Sequence, residues 1–428
     1  MNVLKQQAGY RWVICSLIFF ATLINYLDRA VISLLKNVLE DDFSWSESDY
    51  SAIVISFQVA YAAGMLLNGR IIDRVGSGAG YVIVISGWSI AAICHAFVSS
   101  SGGFMIARAG LGLSEAGNFP VAIKVVAEWF PKKERALATG IFNSGSNIGA
   151  ILAPLTVPFI AATWGWKWAF VITGCTGLIW IIFWLILFDL PDRHKRVSKK
   201  ELDYIQSDTD GMVGKSANSD GLKGAAYLLS LKSTWGFIIG KFLTDPVWWF
   251  YLFWLPAFLK AEYNMEGVAI GLPVAVVYTM SSFGSILGGW LPFKLIGKGW
   301  DVPKARKRSM LIYALMTLPV LFSQVTGGVN VWYAVFIIGI AAAAHQAWSA
   351  NIFTTVSDKF PSNAVASVTG MGGMAGAIGG ILVAWIAGKL FDHYKEVNHL
   401  QTGYLIMFCI CGSAYLLAWL IMHLLDKK

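Results

Sequence analysis

The sequence predicts an all-α membrane protein whose twelve transmembrane helices form two six-helix bundles. The first observation is composition, since 56% of the 428 residues are hydrophobic and only 14% are charged, whereas soluble domains carry about 25% charged residues. The second is that apolar runs of about 20 residues, the length that crosses a bilayer as a helix, recur along the whole chain. The third is an internal repeat that equates the fifth run with the eleventh. We therefore expect a multi-pass protein embedded in a lipid bilayer.

The twelve predicted spans fall into two groups of six, separated by a polar stretch. This stretch, Pro191–Leu231, is rich in charged residues, serine and glycine and is typical of a linker, with room for one short amphipathic helix. We predict an N-terminal bundle over residues 1–190, a cytoplasmic linker over 191–232 and a C-terminal bundle over 233–428. The predicted spans are 11–35, 50–69, 79–99, 103–126, 137–162, 168–189, 234–260, 269–292, 309–326, 331–356, 364–388 and 402–425.

The distribution of basic residues predicts the orientation of these spans. With the N-terminus inside, 24 of the 33 Lys and Arg residues lie on the intracellular side, five on the extracellular side and four within spans. Cytoplasmic loops of membrane proteins carry an excess of Lys and Arg, so both termini are expected in the cytoplasm. The same distribution accounts for the net charge of +8, and no nucleic-acid partner is expected.

The internal repeat supports two halves of equal topology. EWFPKKERALATGIFNSGSNIGAILAP begins at Glu128 and DKFPSNAVASVTGMGGMAGAIGGILVA begins at Asp358, and the two segments match at nine of 27 positions, including a Phe-Pro pair and a Thr-Gly pair. Each half then has six helices in the same orientation. Parallel halves related by an axis along the membrane normal are one of the plans on which transporters are built.

Four charged residues of the N-terminal half lie well inside predicted spans, Asp28 and Arg29 in the first and Arg108 and Glu115 in the fourth. A charge at a helix centre costs roughly 2.5–3.5 kcal/mol on insertion scales, and such residues usually carry function. Arg108 and Glu115 share one helix face but lie about 10 Å apart along the axis, so a third polar group or a water should bridge them. Asp28 is expected to face Arg108, which leaves Arg29 facing the central cavity. The alternative is a buried ion-pair network that only fixes helix register.

The loop between the second and third spans carries a recognisable motif. GRIIDRVGS (Gly69–Ser77) resembles the G-x-x-x-D-R-x-G-R signature of the major facilitator superfamily, with Ser77 in place of the final basic residue. The glycines permit a tight turn, and the charged pair can bond or cap neighbouring helix ends. The expected gating residues are Gly69, Asp73, Arg74 and Gly76.

Further segments are similar to the anion:cation symporter branch of this superfamily, which moves organic anions, and most of all to bacterial hexuronate transporters. The hexuronate transporters take up galacturonate and glucuronate with protons. Aspartate at position 28 is more similar to the aldonate-transporting members of the branch. The segments that carry the resemblance are Asn25–Ala30, Ala107–Pro120, Glu128–Gly140, Phe142–Pro154, Phe242–Pro256 and Ala344–Trp348.

The resemblance implies roles for the four charges. Arg29 would bind the substrate carboxylate through its planar fork of donors, Arg108 would form a switching ion pair, and Glu115 would carry the proton. Asp28 joins Arg108 and Glu115 as a proton-coupling residue. When Glu115 loses contact with Arg108 it should take up a proton, and a neutral Glu115 frees Arg108 to alter its bond with Asp28.

Other polar and aromatic residues are candidates for contacts with a sugar. The alternative in each case is structural: tyrosines pack at interfaces or in the core, polar residues hold transmembrane helices together, and a lone histidine is more often a satisfied core group. At least one of Trp248, Trp249 and Trp348 should be a core or lipid-facing aromatic. The candidate substrate-binding residues are Arg29, Tyr26, Tyr61, Asn143, Asn147, Trp249, His345 and Gln346.

Two lysines are left with structural interpretations. Lys241 and Asp245 are one helical turn apart in the seventh span and can neutralise each other, in a pair that is either structural or in contact with substrate. Lys124 lies near the inner end of the fourth span and is expected to extend its amine toward the membrane surface.

These features together predict a proton-coupled symporter for a hexuronate sugar acid, working by alternating access in a bacterial inner membrane. No G-x-x-x-x-G-K-[ST] phosphate loop is present in the sequence, so ATP is not expected to drive transport. We expect no enzymatic activity, no metal and no cofactor beyond the proton as coupling ion, and a monomer. The alternatives are a symporter for an aldonate such as galactonate or another organic carboxylate, and a non-transporting membrane sensor.

Overall fold

The computed structural model describes residues 9–207, 224–265 and 268–425, and its regular secondary structure in these ranges is helical. The N-terminal helices are α1 (Arg11–Leu34), α2 (Lys36–Phe43), α3 (Glu47–Cys94), α4 (Ser101–Glu115), α5 (Asn118–Trp129), α6 (Lys132–Trp164), α7 (Trp166–Leu187) and α8 (Lys199–Ile205). The later helices are α9 (Gly224–Ser230), α10 (Lys232–Tyr263), α11 (Val268–Gly297), α12 (Val302–Met316), α13 (Ser323–Gly327), α14 (Val331–Lys359), α15 (Ser362–Glu396) and α16 (Leu400–Leu425).

Nine helical segments within the described ranges are long and apolar enough to cross a membrane. Some boundaries differ from those predicted. The second and third predicted spans lie in the single helix α3, which is broken at Gly76 with φ +86° and ψ 168°. Only glycine adopts this backbone conformation readily, so the predicted turn becomes a break within one helix. The fourth predicted span is divided between α4 and α5, which meet at Ala116 and Gly117.

The chain divides into two compact units. The first comprises Met1–Gly221 with Ser357–Met374, and the second comprises Leu222–Val356 with Ala375–Lys428. Helix α15 begins in the first unit and ends in the second. The predicted bundle boundaries at residues 190 and 233 stay a prediction, and residues 208–223 of the predicted linker lie outside the described ranges.

In the first unit, α1 packs closely against α6. A Cβ atom at Gly145 would lie 2.6 Å from the carbonyl oxygen of Phe19, and one at Gly149 would lie 2.5 Å from that of Leu23. Real side chains do not tolerate such contacts, so these two glycines let the helix backbones touch. The contact fixes α1, the helix that carries Arg29, against the helix that carries the two candidate asparagines.

The linker helix α8 fastens the beginning of α1 to the beginning of α6. The Glu201 carboxylate accepts hydrogen bonds from the backbone N–H groups of Tyr10 (3.0 Å) and Arg11 (3.1 Å), donors that no turn of α1 can satisfy. The Arg11 side chain pairs with both Glu201 (3.2 Å) and Glu134 (2.9 Å), and Tyr204 donates to Glu134 (2.8 Å). The short amphipathic helix expected in the linker is therefore present and bonded to the first unit.

Candidate functional site

The central contact of the first unit is an ion pair between Arg29 of α1 and Glu115, the last residue of α4. The Arg29 Nε atom donates to Glu115 Oε2 at 3.0 Å, with the glutamate side chain fully buried and the arginine side chain 17% exposed. A second donor, Nη2, bonds the Asn25 side-chain oxygen at 3.4 Å. A charge-assisted bond of this kind is stronger than a neutral one, and the partly exposed arginine keeps further N–H groups for a ligand.

Aromatic rings surround the Arg29 guanidinium. Its central carbon lies 4.7 Å from the ring centroid of Tyr26, 4.7 Å from that of Tyr61 and 5.2 Å from that of Phe57. These rings attract the cation through their faces and restrict its motion. The structure thus brings together the three residues Arg29, Tyr26 and Tyr61, which sequence reasoning had named separately. Phe57 was missed, and its only sequence signal is the four-residue spacing to Tyr61.

Arg108 contacts Arg29 rather than Glu115. Its Nη2 atom donates to the main-chain oxygen of Arg29 at 2.9 Å, and its guanidinium lies 4.7 Å from the Phe57 ring. The third polar group that links Arg108 to Glu115 is therefore Arg29. Asp28 lies near Arg108, as expected, but forms no direct bond with it, and Arg29 bonds Glu115 as well as being partly exposed. The reason is side-chain direction.

Every Cα–Cβ bond in a helix tilts toward the N-terminus of that helix. The Arg29 side chain therefore extends back along α1 and reaches Glu115 at the C-terminal end of α4. The Arg108 side chain extends toward the N-terminal end of α4, away from Glu115. Sequence spacing had given the correct separation of Arg108 from Glu115 but not the direction in which each side chain extends.

Asp28 is buried beside this chain of contacts without joining it. The residue is only 2% exposed, and neither carboxylate oxygen accepts a hydrogen bond of standard geometry among the described residues. It is close enough to Arg108 and Glu115 to interact with them electrostatically, and the hydroxyl of Thr173 on α7 lies next to it. Asp28 is thus a buried carboxyl placed between a cation and an anion.

The two asparagines of α6 are buried, Asn143 at 3% and Asn147 at 1% exposure. They are one turn apart, on a different face of α6 from Gly145 and Gly149, which contact α1. Both interact with other groups of the protein. Their role toward a sugar stays a prediction.

The signature loop connects α3 to the beginning of α15. The Asp73 carboxylate accepts hydrogen bonds from the backbone N–H groups of Ser367 (2.7 Å) and Ala366 (3.3 Å). A Cβ atom at Gly69 would lie 2.5 Å from the Ala366 carbonyl oxygen, so glycine permits the close approach. Asp73 bonds a neighbouring helix end as expected, whereas Arg74 is exposed.

Lys124 belongs to the same group of contacts. It is only 4% exposed, and its amine bonds Asp73 at 3.0 Å and the carbonyl oxygen of Ser362 at 2.5 Å. The prediction that Lys124 extends to the membrane surface is therefore wrong, because partners are available inside the protein. Ser77, which replaces the usual basic residue of the motif, donates its hydroxyl to Glu128 at 2.5 Å.

The second unit holds its own buried polar contacts. Lys241 pairs with Asp245 at 2.6 Å, and its amine lies 4.0 Å from the Phe353 ring centroid. The Nδ1 atom of His345 is 2.6 Å from the Tyr415 hydroxyl, and the imidazole stacks on Trp248 with centroids 5.2 Å apart. Partners inside the fold thus hold both the lysine and the histidine.

The remaining candidates of the second unit have different exposures. Gln346 is 4% exposed, and the half-buried Trp249 contacts α15, where a Cβ atom at Gly380 would lie 2.9 Å from its indole. Trp348 is fully buried and meets the Tyr415 ring edge to face. The core interpretation therefore holds for Trp348.

Comparison with known proteins places the chain in a family. The sequence model that describes the Major Facilitator Superfamily matches residues 18–384 of this chain. The hexuronate transporter of Escherichia coli K12 is 30% identical over 393 residues, which cover 91% of this chain and 89% of that protein. The D-galactonate transporter of Escherichia coli O6:H1 is 29% identical over 390 residues, which cover 90% of each chain.

A solved structure agrees on the fold. The structure of the proton:xylose symporter XylE superimposes with a TM-score of 0.77 at 18% identity, over 97% of this chain and 95% of that one. The fold, the family match and the relatives all indicate a multi-pass transporter of the bacterial inner membrane, and not an enzyme. The chain belongs to the Major Facilitator Superfamily.

Proposed function

We propose that the protein is a proton-coupled symporter for a sugar acid, with a hexuronate such as galacturonate or glucuronate as the first candidate. Twelve spans with both termini in the cytoplasm would form two bundles that alternate in access. The observation that carries the proposal is the ion pair of Arg29 with the fully buried Glu115. The similar hexuronate and galactonate transporters support the substrate class.

The ion pair suggests how an anion and a proton become coupled. A substrate carboxylate is the same chemical group as the Glu115 side chain, so both compete for the Arg29 guanidinium. When the substrate takes the arginine, Glu115 is left as a buried carboxylate without its closest cation. A buried charge without a partner is costly, and binding a proton removes that cost. One anion and one proton then enter together, and the net charge of the site is unchanged.

The sugar end of the substrate requires groups that bond hydroxyls. Tyr26 and Tyr61, whose rings lie beside Arg29, carry hydroxyls that we assign to this role, and Asn143 and Asn147 belong to the same unit. Trp249, His345 and Gln346 stay candidates for contact with a sugar, as the sequence predicts. Asp28, Arg108 and Glu115 remain the proton-coupling residues, with Arg29 as the link between Arg108 and Glu115.

An aldonate is the second candidate substrate. The buried Asp28 beside the site favours it, because the resemblance to aldonate-transporting members of the branch includes this aspartate, and the similar galactonate transporter is 29% identical. The sensor interpretation gains no support from relatives that are named as transporters.

Uptake by proteoliposomes tests the proposal. Galacturonate, glucuronate, galactonate and the neutral sugars galactose and glucose are offered with and without an inward proton gradient. We expect the gradient to drive accumulation of at least one acid and of neither neutral sugar. Equal uptake of acids and neutral sugars would contradict the role of Arg29, and acid uptake that ignores the gradient would contradict symport.

A further inference from the structure

A second group of buried polar atoms lies beside the ion pair, where α1, α4 and α7 meet the end of α3. It comprises both carboxylate oxygens of Asp28, Nε and Nη1 of Arg108, and Nε2 of His95. None of these five atoms has a hydrogen bond of standard geometry among the described residues, since the Thr173 hydroxyl near Asp28 donates to the carbonyl oxygen of Phe170 at 3.4 Å. Their residues are 2%, 4% and 0% exposed. Buried polar groups in native proteins nearly always have a partner, either protein or ordered water.

Arg108 is the common neighbour in this group. It interacts electrostatically with Asp28 and also with His95, yet it forms no direct bond with either one. The Thr173 hydroxyl lies next to Asp28, and the Phe170 ring one turn earlier on α7 stacks on His95, with centroids 4.9 Å apart and planes inclined by 8°. Three helices and the end of α3 therefore enclose the five atoms.

The protonation state of His95 follows from the hydrogen bond of its Nδ1 atom. Its Nδ1 atom is 2.7 Å from the carbonyl oxygen of Ala91, and because a carbonyl only accepts, Nδ1 carries the hydrogen. A second proton on Nε2 would place a buried cation next to Arg108. The imidazole is therefore neutral, and Nε2 presents a lone pair.

The group contains both hydrogen-bond donors and acceptors, but no direct hydrogen bond joins them. Nε and Nη1 of Arg108 offer three N–H groups, and Asp28 and His95 offer three acceptor atoms. A water molecule both accepts and donates, and a buried water typically makes two to four hydrogen bonds to such groups. Water between Arg108 and the two acceptors would satisfy all five atoms, which no rearrangement of these side chains into one direct bond can do.

We propose that Asp28, His95, Arg108 and Thr173 enclose a hydrated chamber, and that His95 is a positioning residue that holds its water for proton exchange with Asp28. A proton passes along the water to an Asp28 oxygen, and the neutral imidazole keeps the water oriented without changing its own charge. The charged groups that face Asp28 are Arg108 and Glu115 of α4, while Thr173 of α7 supplies a hydroxyl and Arg29 follows it on α1.

His95 is the member of this group that lies at the end of α3. His95 lies in the short 3-10 turn that ends α3, and Phe97 in the same turn is 80% exposed. In this proposal, protons reach Asp28 from the side of His95 rather than from the side of the Arg29–Glu115 pair. The inference rests on the proposed function for the use that Asp28 makes of its proton, but the chamber itself can be tested without substrate.

Infrared spectroscopy of the full-length protein in liposomes tests the chamber. The carboxyl band of Asp28 is identified as the one that Asp28→Asn removes, and its appearance is followed in time after a drop in pH. We expect His95→Phe to slow protonation of Asp28 at least about tenfold, which is less than the hundredfold or more that a group transferring the proton itself contributes, because His95 only positions the water. We expect His95→Gln to stay within a few-fold of the natural protein, because its amide oxygen also accepts a hydrogen bond.

Controls separate the chamber from general damage. His393→Gln, at an exposed histidine of α15, should leave the rate unchanged. If His95→Phe does not fold, Thr173→Val removes the hydroxyl beside Asp28 and should also slow the step. An unchanged rate in whichever of these two variants folds, or no Asp28 band in the natural protein, would overturn the proposal. Because no substrate or gradient is needed, a failure of symport would show separately in the uptake assay.

Discussion

The Nε atom of Arg29 donates to Oε2 of Glu115 at 3.0 Å, and this bond joins the expected substrate ligand to the expected proton carrier. The main-chain oxygen of Arg29 also accepts from Arg108 at 2.9 Å. A single residue therefore contacts both polar partners on α4. Any ligand that pulls the Arg29 side chain away changes the surroundings of Glu115 directly, without a long-range rearrangement.

Glu115→Gln should uncouple transport from the proton gradient. The amide keeps the shape of the side chain and can still bond Arg29, but it cannot take up a proton. We expect substrate exchange across the membrane to continue within a few-fold, while gradient-driven accumulation is lost. Counterflow and accumulation measured on the same proteoliposomes check this. Accumulation at the natural level would show that Glu115 is not the proton carrier.

Arg29→Lys should weaken binding of the acid although the charge is kept. Lysine lacks the planar fork that bonds two carboxylate oxygens at once, and a hydrogen bond to a charged group contributes about 1.5–3 kcal/mol. We expect KM for the sugar acid to rise roughly tenfold to a hundredfold. The control is Lys36→Arg, at a half-buried pair with Glu40, which should leave KM unchanged. A KM unaffected by Arg29→Lys would remove Arg29 from the site.

Glu128, outside the predicted fourth span, should make stability depend on pH. Burial raises the pKa of this carboxyl above its ordinary value of 4.5, and nearby Asp73 raises it further, while Lys124 and the hydroxyl of Ser77 oppose the shift. The folded state then binds the proton more tightly than the unfolded state, so this contribution to stability is present at low pH. It is lost as pH rises from about 4.5 through the raised pKa.

Glu128→Gln removes that titration. We expect the melting temperature of the variant in detergent to fall less than that of the natural protein as pH rises above about 4.5. Asp192→Asn, at an exposed carboxyl of the linker, serves as the control and should follow the natural protein. Identical pH profiles for Glu128→Gln and the natural protein would contradict the assigned shift.

Glu201→Gln should loosen the attachment of the linker helix. The carboxylate bonds the first backbone N–H groups of α1 as well as the Arg11 side chain, and loss of a helix cap costs about 0.5–2 kcal/mol. We expect a lower melting temperature, measured against Asp203→Asn, an exposed carboxyl on the same helix. Equal melting temperatures for the two variants would show that Glu201 does not stabilise the first unit.

The family and the apolar helices could be predicted from sequence because each depends on local patterns. Hydrophobic run lengths give the spans, and a charge in such a run is conspicuous. The contacts among the charges could not be predicted, since they depend on side-chain direction as well as spacing. Arg29, and not Asp28, therefore forms the direct bond with Arg108. Phe57 is apolar, so nothing in the sequence marked it as part of the site.

Long-range contacts were the other limit. Lys124 looked like a lysine at the end of a span, and only the fold brings Asp73 and the carbonyl oxygen of Ser362 to its amine. In the same way, nothing local marks Glu201 as the partner of the first N–H groups of α1. The sequence carries no signal for His95 either, because its contacts with Phe170 and its interaction with Arg108 come from other helices.

Proton uptake on substrate binding tests the central claim most directly. Calorimetry of sugar-acid binding in two buffers of different ionisation enthalpy gives the number of protons taken up per ligand bound. If the substrate displaces Glu115 from Arg29, the natural protein should take up about one proton at a pH where Glu115 starts ionised. Glu115→Gln should bind the same acid and take up none. Binding without proton uptake by the natural protein, or undiminished uptake by Glu115→Gln, would contradict the account.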